Sequence, residues 1–557
     1  MRIYKAGDIE VPGDLNLTEL LHSSAQSQLP GSHLIANDCL TGRSITLDGL
    51  RDRAGRLAAG LQANFNPVDQ SRWALVVPNS VNYIELFHTI LWVGGVGCPI
   101  NWALKPAEIA HAFIVSKPHF VFVYGPAVSK VREAITIASD TARKNNLDFD
   151  IPRIITVLGD LKDNPDIEQF LAPTRLPIPH FSNTRERLAS IHLSSGTTGN
   201  PKGVALSHFN YIANVLQLVK HDPAKFNENV RMVVFTPFVH IANTTIPLFV
   251  GPWTGMLHCI MPSYDIETVC RMIQDNKADS VQGMGPIVGS FANTDVSERY
   301  DLSSLRSFVG GVAIAESGYK KLLSKGNWKG VKLYGMTEAA PYVVFQKLDE
   351  ILPWRKIGGL LPGIECVLRI EDGTKDAPEG GPGEMWIRGP NVTSGYVFNE
   401  EATKSAFREG GWYNTGDVCT FTPDGLLEVV GRTKELIKYQ GFQVPPTELD
   451  AYVKAHPAVL DAACAGIWDA KRLTELPAAY VVLQPEIKTT EQKIQALKDV
   501  RQMVDSKVSG YKKLRGGVWE VSEVAKNATG KIVRRQLGDH KTGISDQIGS
   551  AKDQSKL

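Results

Sequence analysis

The densest run of hydrogen-bond donors in the chain is Ser194-Ser195-Gly196-Thr197-Thr198-Gly199-Asn200-Pro201-Lys202-Gly203. Its three glycines let the backbone turn N–H groups inward, its four hydroxyls add donors, and its lysine adds positive charge. Those are the parts of a cradle for a polyphosphate. It is not a Walker A loop, because no Gly-x-x-x-x-Gly-Lys-Ser/Thr register fits. Gly283-Met284-Gly285 starts like a dinucleotide-binding turn, but Val288 stands where a third glycine belongs, so it reads as a plain loop.

Two further runs carry chemistry. In Tyr334-Gly335-Met336-Thr337-Glu338 an aromatic face could stack on a purine, and a hydroxyl beside a carboxylate could hold Mg²⁺ against phosphate oxygens. Taken alone, a strand end with a capping threonine explains the pentapeptide equally well. In Trp412-Tyr413-Asn414-Thr415-Gly416-Asp417 a carboxylate follows a glycine and could accept both hydroxyls of a ribose, with Arg432 fifteen residues on as a second contact. A turn aspartate paired with a surface arginine fits the same residues.

These loops need elements to position them. Short apolar, β-branched segments (Trp73–Val77, His119–Val123, Arg153–Val157 and Met232–Thr236) alternate with segments of helical length. That alternation predicts α/β layers with largely parallel sheets, and a helical pattern begins at His208. Between Gly380 and Val430 the texture becomes short strands punctuated by Gly and Pro: Glu384–Arg388, Val418–Thr422 and Leu426–Val430. The most membrane-like stretch, Leu86–Leu104, is interrupted by His88, Gly94, Gly95, Gly97, Pro99 and Asn101. It reads as a buried helix running into a strand, not as a transmembrane segment.

The chain has 557 residues, 43% hydrophobic and 21% charged, enough for two or more folding units. Sixty Lys+Arg against 59 Asp+Glu leave a net charge of +1, which gives no support to a nucleic-acid or polybasic membrane binder. Seven scattered cysteines include no Cys-x-x-Cys, so neither a zinc site nor a disulfide scaffold is expected. The chain ends in Ser555-Lys556-Leu557 after a polar stretch from Gly538. That tripeptide is an address read by the peroxisomal import receptor, so the expected compartment is the peroxisome.

In order and spacing these blocks resemble the adenylate-forming superfamily of acyl- and aryl-CoA synthetases, peptide-synthetase adenylation domains and luciferase-like enzymes. Gly431-Arg432-Thr433-Lys434-Glu435-Leu436-Ile437-Lys438-Tyr439-Gln440-Gly441-Phe442-Gln443-Val444-Pro445 is close to the form in 4-coumarate–CoA ligases, and Gly530-Lys531-Ile532-Val533-Arg534-Arg535 resembles their C-terminal block. The resemblance covers roughly residues 40–537. It implies an α/β adenylate-forming enzyme fold: a large N-terminal domain (1–433) of mixed sheets plus a β-rich subdomain, a small mobile α+β C-terminal domain (434–537), and a flexible tail (538–557).

The resemblance also implies ATP, Mg²⁺ and CoA, and a small-molecule carboxylic acid, aryl or aliphatic. It assigns ATP to Ser194, Ser195, Gly196, Thr197, Thr198, Gly199, Lys202, Tyr334, Gly335, Thr337, Asp417 and Arg432, and the metal to Glu338 with Thr337. Lys531, Lys438, Gln443 and His240 would be catalytic. Lys434 would be the hinge, and Lys438, Gly441 and Phe442 would meet CoA. The acyl pocket would be His240, Asn243, Thr244, Gly310, Gly311, Leu333, Ala340, Pro341 and Tyr342. Three departures stand out. A leucine, Leu333, replaces a family glycine; Gly310-Gly311-Val312-Ala313-Ile314-Ala315 lacks its proline; and Ala525 stands for a proline. Added bulk at Leu333 and Tyr342 argues against a hydroxycinnamate. An amino-acid adenylating enzyme would need an acidic partner for the ammonium, and no Asp or Glu lies between Phe235 and Val250. A luciferase-like oxygenase shares fold and address, and a non-enzymatic nucleotide-binding scaffold is the remaining alternative.

Overall fold

The computed structural model describes residues 1–23, 29–159, 164–194, 201–283, 291, 294–311, 316–371, 373–440, 442–470, 472, 474–526 and 532–546, without the side chains of 316–318 and 443. The first sheet runs, in spatial order, Arg153–Val157, Phe120–Tyr124, Arg72–Val76, Val96–Pro99, Leu188–Ser194 and Lys202–Ser207. Its pairs are parallel except the last, an antiparallel hairpin. A nine-stranded sheet has a parallel centre, Lys329–Gly335, Ser307–Gly311, Ser280–Gln282, Arg231–Val234, Leu257–Ile260 and Leu34–Asp38, with antiparallel strands at both edges. A third sheet, built on Glu365–Ile370, Gly383–Arg388, Trp412–Phe421 and Leu427–Arg432, is antiparallel. The strand expected at Met232–Thr236 ends at Val234, and past it the Asn79 amide, instead of a neighbouring strand, donates to the Phe235 and Thr236 carbonyls at 3.4 and 2.9 Å.

The membrane-like stretch is the helix Val81–Trp92 followed by the strand Val96–Pro99. Every residue of that helix is buried, which is why it reads as apolar all round. Glu85 and His88 on it are both partnered, whereas the buried Tyr83 hydroxyl has no hydrogen-bond partner among the described residues. Glu85 is held by Arg43 at 2.6 Å and Arg53 at 2.8 Å. His88 Nδ1 meets His22 Nε2 and its Nε2 meets the Leu248 carbonyl, each at 2.8 Å. Burial without those partners would cost several kcal/mol, on the order of the penalty for an unpaired interior charge. No described helix is long and apolar enough to cross a membrane.

The helix His208–His221 is capped by Ser207 and Asn210 in a reciprocal box. Its buried polar residues fall at helical spacing and reach three separate segments. Asn210 donates to the Pro390 and Val392 carbonyls, Asn214 to the Tyr342 carbonyl, and Gln217 to the Pro362 carbonyl. Asn391 in turn donates to the Ala339 and Tyr342 carbonyls. Three segments of the chain, among them the strand Tyr342–Phe345 that follows Glu338, are therefore stitched to one helix by side-chain amides.

After Arg432 the chain passes through a turn into the hairpin Ile437–Tyr439 and Phe442–Val444, the helices Pro446–Lys454 and Thr490–Lys507, and a four-stranded sheet. One expectation needs correction. The segment from 538, read as a flexible tail, is ordered as far as Asp546. The strand Lys541–Ser545 pairs with Val518–Val521, and Asp546 bonds Arg501 at 2.6 Å and the Val518 N–H at 2.7 Å. Ladder bonds and a half-buried ion pair hold a sequence whose polarity gave no sign of them.

His208 is fully buried; its Nδ1 accepts from the Leu17 N–H at 3.2 Å, and burial pulls its pKa down to about 3. The folded-state value lies below the unfolded one, so the unfolded chain binds more protons between about pH 3 and 6.5 and stability rises with pH across that window. His208→Asn, which keeps an acceptor for Leu17, should flatten the slope of stability against pH from 4.5 to 6 by about 1.4 kcal/mol per unit. Denaturant titrations at several pH values measure this, and an unchanged slope would show that the folded protein already carries the proton.

Candidate functional site

The donor-rich loop closes a hairpin. Ser194 and Lys202 are the last partners of the antiparallel pair Leu188–Ser194 and Lys202–Ser207. Ser195, Gly196, Thr197, Thr198 and Gly199 lie outside the described residues, between those strand ends. The helix from His208 follows a second strand instead of the loop itself, because Gly203-Val204-Ala205-Leu206-Ser207 has the apolar character of a buried strand. Lys202 Nζ sits 5.1 Å from the centre of the Tyr396 ring.

The second motif forms the end of the strand Lys329–Gly335 and a short helical turn, Thr337–Ala339. Gly335 is required by close approach, since a Cβ there would lie 2.3 Å from the Pro341 carbonyl oxygen. The Tyr334 hydroxyl donates to Asp417 Oδ2 at 2.6 Å, and Arg432 Nε meets Asp417 Oδ1 at 2.9 Å. Strand register produces this cluster, because Asp417 and Arg432 are direct partners across the antiparallel pair. Burial, then the Asp417 charge, push the Tyr334 pKa up, so the phenol stays a neutral donor. Thr337 is half-buried, and Glu338 is 9% exposed.

Glu338 accepts from the Tyr396 hydroxyl at 2.9 Å, and Tyr396 and Tyr413 share a bond at 3.2 Å between their hydroxyl oxygens. Among the described residues no group of three His, Cys, Asp or Glu could enclose a metal. A carboxylate held by neutral phenols, near a hydroxyl residue and a lysine, suits a hard cation that keeps water and phosphate oxygens as its other ligands. Glu338 and Thr337 therefore fit Mg²⁺ delivered with a polyphosphate, and an all-protein cage does not.

The segment after Thr236 is tied down by its own side chains. Asn243 is bonded to the Thr236 hydroxyl at 2.9 Å, and the Thr244 hydroxyl donates to the Phe238 carbonyl at 2.7 Å. Both side chains are buried in fixing that turn. His240 is exposed as a residue, and desolvation by the protein around its ring lowers its pKa. Behind it, fully buried His192 is pulled to about 3 by burial, and its Nε2 has no hydrogen-bond partner among the described residues. A Cβ at Gly311 would meet nothing within 4 Å among the described residues, and Leu333, its strand partner, is half-buried against the main core. Gly310 is half-buried; Ala340, Pro341 and Tyr342 are buried. The Tyr342 hydroxyl donates to the Ala242 carbonyl at 3.1 Å and also bonds Gln282. Tyr342 is thus tied to the His240 segment from the opposite sheet strand.

In the C-terminal part, Lys434 is exposed in the turn after Arg432. Lys438 and Gln443 are direct partners in the two-stranded hairpin, with Lys438 exposed. Phe442 is 52% exposed and stacks on Tyr511 with centres 4.5 Å apart. Gly441 and Lys531 lie outside the described residues, as do Ser555, Lys556 and Leu557. Arg534, three residues past Lys531, joins Glu435 at 3.2 Å, Asp450 at 2.7 Å and the Cys464 carbonyl at 2.6 Å. Sequence reasoning missed Tyr396, Tyr413, Asn391 and Arg534 as parts of this arrangement. Tyr413 sat inside a quoted motif, but nothing in its spacing pointed to Glu338.

Comparison with known proteins agrees with this layout. The family model described as "AMP-binding enzyme" matches residues 25–397, and "AMP-binding enzyme C-terminal domain" matches 448–531. A 4-coumarate–CoA ligase-like protein of Arabidopsis thaliana is 30% identical over 519 residues, covering 90% of this chain and 87% of that protein. A probable 4-coumarate–CoA ligase of Dictyostelium discoideum is 28% identical, covering 90% and 91%. The crystal structure of ATP-bound MatB from Rhodopseudomonas palustris superposes with a TM-score of 0.81 at 24% identity, covering 94% and 98%.

Arg432→Leu would leave Asp417, whose side chain is 6% exposed, without its guanidinium. The variant should lose about 2–3 kcal/mol of stability, the cost of leaving a buried acceptor charge unpaired. Urea unfolding measures this; wild-type stability would show that water replaces the guanidinium.

Proposed function

The chain belongs to the AMP-binding enzyme family, and on that premise we propose that it is an ATP-dependent carboxylate–CoA ligase. A carboxylate oxygen attacks the α-phosphorus of ATP, giving an acyl-adenylate and pyrophosphate. The CoA thiol then loses its proton and attacks the acyl carbon, forming a thioester and releasing AMP. The acid is aryl or medium- to long-chain aliphatic. The observation that carries this reading is the convergence of Tyr334, Asp417 and Arg432 beside Glu338 and the Ser194–Lys202 hairpin, the juxtaposition a nucleotide with a polyphosphate chain needs.

In this reading Asp417 accepts the ribose hydroxyls, with Arg432 holding that carboxylate in place. Tyr334 is anchored by its hydroxyl so that its ring offers a fixed face to the purine. Lys202 and residues 194–199 take the outer phosphates. Mg²⁺ at Glu338 and Thr337 would supply charge neutralisation on the phosphate oxygens. Lys531 is the cation between the two anionic reactants. His240 stands between the acid and the path of the thiol. Rotation about Lys434 then exchanges Lys531 for the face that carries Lys438, Gly441, Phe442 and Gln443. Where Ser555-Lys556-Leu557 form a free C-terminus, the import receptor would carry the enzyme to the peroxisome.

The test is pyrophosphate release that requires a carboxylic acid, followed by AMP release that requires CoA, across a panel running from cinnamates and phenylacetates to medium-chain fatty acids. Pyrophosphate release indifferent to every acid would refute the reading. Lys531→Ala should lose adenylate formation by about three decades, the rate equivalent of some 4 kcal/mol of uncompensated repulsion, yet still convert synthetic acyl-AMP and CoA to thioester. Equal loss of both steps in single-turnover assays would remove Lys531 from the role assigned to it.

A further inference from the structure

One segment touches both halves of the phosphate site. Residues 393–397 lie along the strand Lys202–Ser207: the Gly395 carbonyl accepts from the Ala205 N–H at 3.0 Å, and the Val397 N–H donates to the Gly203 carbonyl at 2.8 Å. The Thr393 hydroxyl donates to the Ala205 carbonyl, and its N–H to the Glu338 carbonyl at 2.8 Å. The contact is too close for a side chain at Gly203, whose Cβ would fall 2.7 Å from Val397. Tyr396 belongs to this strap. Its hydroxyl bonds Glu338 Oε1 at 2.9 Å, and its ring lies 5.1 Å from Lys202 Nζ.

We propose that Tyr396, assisted by Tyr413, is a positioning residue of the adenylation site: its hydroxyl aims the Glu338 carboxylate at the metal of a metal–nucleotide complex, while its ring steadies the Lys202 ammonium. Fixing Oε1 with a hydrogen bond sets the direction of Oε2, and Mg²⁺ tolerates little deviation from octahedral geometry. The Tyr413 hydroxyl, 3.2 Å from that of Tyr396, braces the pair. Burial first, and then the Glu338 charge, raise both phenol pKa values, so both remain neutral donors. One side chain thereby couples the cationic and the anionic ligand of the same phosphate chain. This deepens the ligase reading and rests on its assignment of Glu338.

Calorimetric ATP binding to the full-length protein, with Mg²⁺ and with EDTA, separates the two contacts. The ratio of the two Kd values gives the tightening due to the metal. Tyr396→Phe should cut that ratio about tenfold, as loss of a group behind a metal ligand does, with the Kd in EDTA unchanged. Tyr396→Leu should also weaken binding in EDTA by about two- to fivefold, the size of a lost cation–π contact. Tyr413→Phe should reduce the ratio in the same direction, and keeps the test decisive should Tyr396→Leu fail to fold. An intact ratio in both phenylalanine variants, or equal weakening with and without metal, would overturn the inference. If Mg²⁺ does not tighten ATP on the wild-type protein, the assignment of Glu338 falls with it.

Discussion

A carboxylate and a phosphate brought to about 4 Å repel by roughly 4 kcal/mol at an effective dielectric of about 20. The proposed reaction requires that approach, so cations must be held where water would otherwise screen the charges. Cations so placed repel one another as well, and each needs an anchor. Arg432 is locked by strand register opposite Asp417. Lys202 ends a hairpin and rests over a neutral ring, which steadies it without cancelling its charge. Glu338 has phenols as hydrogen-bond partners, so its own charge stays available to a metal.

Holding such groups in place takes a scaffold that is polar where it meets the loops and apolar elsewhere. The helix His208–His221 does this through Asn210, Asn214 and Gln217, whose amides bond backbone carbonyls of two loops and one strand end. Backbone carbonyls buried without partners are costly, so these amides both stabilise the loops and fix their positions. The same device recurs at the other wall, where Asn79 bonds the Thr236 carbonyl and the Phe238 N–H.

The parallel strands were legible because β-branched runs such as Arg153–Val157 are buried and short. The buried helix Val81–Trp92 was legible because Gly94, Gly95 and Pro99 break its apolar run. The nucleotide motifs stood out because glycine, hydroxyl and charge at fixed spacing are rare together. The order of residues 538–546 was not legible: Lys541–Ser545 has little apolar character, and a ladder and the Asp546–Arg501 pair hold it instead. Tyr396 was hidden for a similar reason. Its partners, Glu338 and Lys202, are distant in sequence, and a tyrosine after a glycine carries no signal by itself.

The central claim is that a carboxylate oxygen becomes bonded to the α-phosphorus at this site. Incubating the enzyme with ATP, CoA and an acid labelled with heavy oxygen in both carboxylate positions follows that bond directly. Mass spectrometry of the products should find one labelled oxygen in AMP and one in the thioester carbonyl. Label in inorganic phosphate together with ADP would mean attack at the γ-phosphorus, and unlabelled AMP would mean that no acyl-adenylate forms; either would contradict the account.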